Sequence, residues 1–179
     1  MSKAKAVFDY SIKDAESLLA LFDTVHKQSS PENAEVLKRA GLILALTAWE
    51  TYVEDRVREE MRQRLRVVEG SYVGKYIEGK LEEELKRFHT PNSAQTRRIF
   101  LDFLDVDVTV GWMWQHFDMA KAKNQLDSLI AKRGDVVHRS KPLSTGTPAP
   151  HAVRRDDLEK SIKFLKELVE ATDRTLAEL

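Results

Sequence analysis

Leu126–Ser140, reading LDSLIAKRGDVVHRS, decides how this chain folds. Ala122, Leu126, Leu129 or Ile130, and Val137 recur at helical spacing, so the segment is expected to form a helix over 118–138 with one face in a core. Arg133 lies on the side of that stripe, and His138 follows Val137 at the end of the run. Charged and titratable side chains are unusual beside a buried stripe unless something uses them.

The chemistry of the two residues is complementary. Histidine takes or gives a proton near neutral pH, and arginine carries a permanent charge on a planar fork that matches a phosphate. Together they can supply proton transfer and charge neutralisation for cleavage of an RNA phosphodiester without a metal. Five helical residues rotate through roughly 140°, so on one straight helix the two positions point apart. Two solutions are open: Gly134 loosens the helix between them, or a two-fold dimer brings two copies of the pair together. An Arg-x4-His spacing also arises by chance, and a structural role for both residues is the competing reading.

The surrounding phrase narrows the choice. LDSLIAKRGDVVHRS resembles the signature helix of the HEPN superfamily, whose motif is Arg-x4-6-His, and is most similar to its RiboL-PSP-type branch. A second similarity lies at Ala45–Val53, ALTAWETYV, which resembles that branch's alanine-rich helix carrying Trp-Glu. The resemblance covers roughly residues 35–175. It implies an all-α antiparallel bundle of four main helices plus shorter ones, in one domain over 1–179. It further implies a homodimeric, metal-independent endoribonuclease with Arg133 and His138 as catalytic residues, and no cofactor. Toxin–antitoxin, phage-defence or RNA-processing settings follow from the same resemblance, with an antitoxin or other protein as partner. The pattern departs from many members directly after the arginine, where Gly134 stands, with Asp135 one residue later. Asp135 and Glu50 are the candidates for orienting the pair. The alternative is a non-catalytic helical module that binds RNA, a nucleotide or a protein and keeps Arg133 and His138 for dimer packing. A nucleotide-sensing partner of a nucleotidyltransferase is a third reading.

Composition agrees with a helical protein. The 179 residues include only 7 glycines and 5 prolines, and 32% are charged. There is no cysteine, which excludes disulfides, zinc–thiolate sites and thiol catalysis. The start, MSKAKAVFDYS, has no apolar signal core and no run reaches membrane-spanning length, so a cytoplasmic protein is expected. Net charge is zero, yet residues 121–155 hold eight basic side chains against two acidic ones. That excess surrounds Arg133 and His138 and suits a phosphate-bearing ligand, with Lys132, Arg139 and Lys141 as candidate RNA contacts.

The remaining elements follow from periodicity. A first helix is expected over 11–28 and stops at Ser29-Ser30-Pro31, with Ser30 as N-cap. A long helix over 31–68 is apolar nearly all round from Ala40 to Trp49, which marks a central position. Its Arg56, Arg58, Arg62, Arg64 and Arg66 interleave with Glu54, Asp55, Glu59 and Glu60, reading as a solvated, ion-paired face before an RNA groove. Helices over 72–88 and 94–104 flank the turn Thr90-Pro91-Asn92-Ser93. Arg97 and Arg98 on the second of these are read as ordinary surface charges, with nucleic-acid contact as the minority view. Residues 105–117 read as a structured loop anchored by Trp112 and Trp114, base stacking being the lesser possibility. His26, His89 and His116 stand alone, without metal-ligand spacing. Ser140–Val153 reads as a loop leaving the Arg–His region, and a last helix covers 155–177.

Overall fold

The computed structural model describes residues 1–25, 31–89, 91–138 and 153–178, with the backbone alone at 31–33, 137 and 138. Among these residues the chain forms six α-helices and no strand: α1 (Lys3–Val25), α2 (Pro31–Leu65), α3 (Tyr72–Leu85), α4 (Ser93–Leu104), α5 (Met119–His138) and α6 (Arg155–Ala177). The all-α expectation holds.

Helix α2 is the axis. Ala45, Leu46, Ala48, Trp49, Tyr52, Val53 and Val57 are each at most 3% exposed, and every other helix packs on it. This stretch buries most of its circumference, leaving Leu44 and Thr47 on its exposed edge, so the other helices gather round it. Helix α1 runs antiparallel to both α2 and α6. Its start meets Glu59 and Asp173, while Asp23 near its end meets Arg155 at the start of α6.

Helix α1 begins eight residues earlier than periodicity predicts. Its first N–H groups are satisfied from afar: Lys3 and Ala4 each donate to the Glu59 carboxylate at 3.0 Å. The Ser2 hydroxyl accepts from the Lys5 amide at 3.0 Å and donates to Asp173 at 2.5 Å. Ser2 thus caps the helix locally, and the remaining orphan N–H groups take the distant Glu59 carboxylate, which no window of sequence around residue 3 reveals.

Helix α2 ends at Leu65, with one 3-10 turn over Arg66–Val68, so the expected span of 31–68 overran by a turn. The reading of its charged half needs one correction. Arg58 is ion-paired as expected, to Glu54, Asp55 and Glu82. Arg56, however, is 5% exposed, clasped by Glu60 at 2.6 Å and by Asp173 of α6 at 2.9 Å. It fastens α2 to α6 and does not face solvent. The Ser30 cap and residues 26–30 lie outside the described residues.

Residues 105–117 carry a 3-10 turn at Val108–Gly111 and a short bridge between Trp114 and Phe117. Trp112 is wholly buried, and its indole N–H donates to Thr172 Oγ1 at 2.9 Å. Trp114 stacks on Phe117 with ring centroids 4.9 Å apart and donates to Glu167. Both tryptophans therefore anchor the loop, and buried Trp112 presents no open stacking face. Gly111 lies so close to α6 that an added Cβ would sit 1.7 Å from Thr175 Oγ1.

Candidate active site

Helix α5 presents Ala122, Leu126 and Leu129 to the core, at 0%, 0% and 4% exposure. The next position on this three-and-four seam is Arg133. A buried seam leaves an arginine one option, which is to lay its stem along the apolar surface and find a partner for its head. Arg133 Nη1 meets Glu50 Oε2 of α2 at 3.3 Å, with the side chains 22% and 18% exposed. Glu50 thus comes to Arg133 from a neighbouring helix, 83 residues away in sequence.

The second oxygen of the same carboxylate has a different neighbour. Glu50 Oε1 lies 3.7 Å from His89 Nδ1, and the His89 side chain is 76% exposed. His89 belongs to the turn between α3 and α4, which is pinned on several sides. The Trp49 indole N–H donates to the Pro91 carbonyl at 3.1 Å, adjacent to Glu50 on α2. Ser93 donates its amide and hydroxyl to Asp127 of α5, at 2.8 and 2.9 Å. Asn92 and Gln95 complete a capping box at the start of α4, and Phe88 is buried. Sequence reading left His89 isolated. The signal that places it is the Trp49–Pro91 bond, which no local pattern announces.

Gly134 does not loosen α5. The helix is unbroken from Met119 to His138, and a Cβ at Gly134 would meet nothing within 4 Å among the described residues. Positions 133 and 138 therefore lie about 140° apart around one straight helix. His138 ends α5 as described, and its side chain lies outside the described residues. Asp135 is exposed one residue beyond Gly134. Lys132 is engaged, its Nζ 3.0 Å from Asp157 of α6. Arg139, Lys141 and the loop over 139–152 lie outside the described residues, while Val153 is buried.

The other basic residues of interest are neutralised. Arg97 pairs with Asp107 at 2.5 Å and Arg98 with Glu84 at 3.1 Å. Among the described residues no group of three or more His, Asp or Glu side chains forms a metal-holding cluster. Among the described residues no helix is long and apolar enough to cross a membrane.

The chain is an all-α bundle in which the helix carrying Arg133 packs on the helix carrying Trp49 and Glu50. The RiboL-PSP-HEPN family matches residues 9–178, and the chain belongs to that family. No curated protein and no solved structure matches it.

Proposed function

We propose that this chain is a metal-independent endoribonuclease that works as a homodimer, with Arg133 and His138 as its catalytic residues. The observation that carries the reading is Arg133 itself, an arginine on the core seam of α5, held by Glu50 and still partly open to solvent. Burying part of a guanidinium stem to present its head at one place is costly for packing alone and useful for gripping a phosphate.

In this reading the ribose 2′-oxygen attacks the adjacent phosphorus, and the bond from phosphorus to the 5′-oxygen breaks. His138 accepts the 2′-hydroxyl proton or delivers one to the departing 5′-oxygen. Arg133 stabilises the charge that develops on the phosphoryl oxygens. The products are a 2′,3′-cyclic phosphate, which water can open to a 3′-phosphate, and a 5′-hydroxyl. Because the two positions diverge on an unbroken helix, a two-fold axis would bring Arg133 of one copy to His138 of the other. Glu50 orients Arg133, Asp135 is the second orienting candidate, and Lys132, Arg139 and Lys141 extend the phosphate contacts. A cytoplasmic toxin–antitoxin or phage-defence role fits such an enzyme, with a partner protein restraining it.

The test is cleavage of a mixed RNA pool in excess chelator by the wild type, His138→Ala and Arg133→Ala at matched folding. Cyclic-phosphate ends from the wild type, with losses of roughly a hundredfold or more in both variants, are expected. No cutting by a folded, dimeric wild type would move the function to a binding module in which Glu50–Arg133 is a packing contact.

A further inference from the structure

His89 is an odd residue to find beside Glu50. Its side chain is 76% exposed, so it buries little surface and fills no core position. An exposed ion pair is a weak reason to keep a residue. Yet the turn that carries it is held by Trp49 on α2, by Asp127 on α5 and by a capping box at α4. A rigid turn thus presents a solvent-facing imidazole next to the carboxylate that also holds Arg133.

We infer that His89 is a substrate-contacting residue of this site, gripping the RNA chain beside the phosphate that Arg133 binds. The inference rests on the ribonuclease reading for the nature of the ligand. Three features support it. Nδ1 lies 3.7 Å from the Glu50 carboxylate, so that edge of the ring faces Glu50 and Nε2 faces away from it. Arg133 and His89 approach opposite oxygens of one carboxylate, so a ligand held by the first lies within reach of the second. A single protomer accordingly offers an Arg–carboxylate–His array across α5, α2 and the α3–α4 turn. This histidine is separate from His138 and does not depend on a second copy.

Binding of a single-stranded RNA oligonucleotide, measured by fluorescence anisotropy across a salt series at pH 6, tests this. All proteins carry His138→Ala to prevent cleavage. Adding His89→Ala should weaken binding about tenfold and reduce the slope of log affinity against log salt by about 0.7. His89→Lys, which places a cation at that point, should recover most of both. The exposed position predicts unchanged melting for each variant. Unchanged affinity and slope in His89→Ala would overturn the inference, as would a His138→Ala protein that binds no RNA. The outcomes separate from those of the nuclease reading. A wild type that never cuts, combined with loss of binding in His89→Ala, would refute the enzyme and leave the contact. A wild type that cuts, combined with His89→Ala binding unchanged, would refute the contact alone.

Discussion

At the scale of single residues, Glu50 links Arg133 and His89 in the candidate site. Its two oxygens face Arg133 and His89, and its backbone sits one residue from Trp49 in the most buried part of α2. If it orients Arg133, Glu50→Gln keeps the shape and removes the charge that aims the guanidinium. Cleavage should fall about 10–100-fold, by analogy with the loss of supporting groups around other sites. The fall should appear in kcat more than in KM, with the melting temperature within a few degrees of wild type. Steady-state kinetics with a fluorogenic RNA would measure this, and a loss confined to stability would make Glu50–Arg133 a packing pair. The sequence singled out both Glu50 and Arg133, because Trp-Glu in an alanine-rich helix and Arg before Gly-Asp are local phrases. His89 was not legible, since its place depends on Trp49 reaching across to Pro91.

At the scale of elements, α5 and the loop before it make separate predictions. Gly134 lies inside an unbroken helix with open space around its missing side chain. Gly134→Ala should therefore stabilise the protein by about 0.8–1 kcal/mol, the helix preference of alanine over glycine. Activity should be retained, because the helix is not bending there; thermal melting and the RNA assay together check both halves. The loop before α5 is tied by Asp107, whose carboxylate accepts from the Thr109 amide and hydroxyl and from Arg97. Partial burial pushes this carboxyl up, but the Thr109 and Arg97 hydrogen bonds outweigh it and hold it below its usual range. A depressed carboxylate gives stability that is full above its unfolded pKa, about 3.9, and is lost as pH falls through the folded value. Asp107→Asn should thus cost about 1 kcal/mol at neutral pH. That gap should shrink as pH falls past the unfolded value and through the lower folded one, in melting curves taken across the acid range.

At the scale of the whole molecule, the unbroken α5 decides how the pair can be used. Two positions about 140° apart cannot both aim at one phosphate from a single straight helix. Under the dimeric reading, one site takes Arg133 from one copy and His138 from the other. Mixing equal amounts of inactive Arg133→Ala and inactive His138→Ala should then regenerate about a quarter of wild-type cleavage. Half of the dimers would be mixed, each with one intact site of two. Sedimentation should show a dimer at the concentration of the assay. A mixture as dead as its components would place each site within one copy.

What the sequence determined by itself was set by local and periodic patterns. The three-and-four spacing defined α5 and α6, the apolar ring from Ala40 to Trp49 marked α2 as central, and the turn Thr90-Pro91-Asn92-Ser93 signalled the start of α4. These are properties of neighbours along the chain, where backbone geometry fixes who faces whom. Only the tertiary structure decided that α1 starts at Lys3, that Arg56 is buried against Asp173, and that His89 stands beside Glu50. Each depends on a charged or polar group meeting a partner from a distant segment: Glu59 and Asp173 for the first, Asp173 again for the second, Trp49 and Pro91 for the third. A polar side chain's surroundings set whether it is exposed, buried or reactive, and those surroundings exist only once the helices have packed.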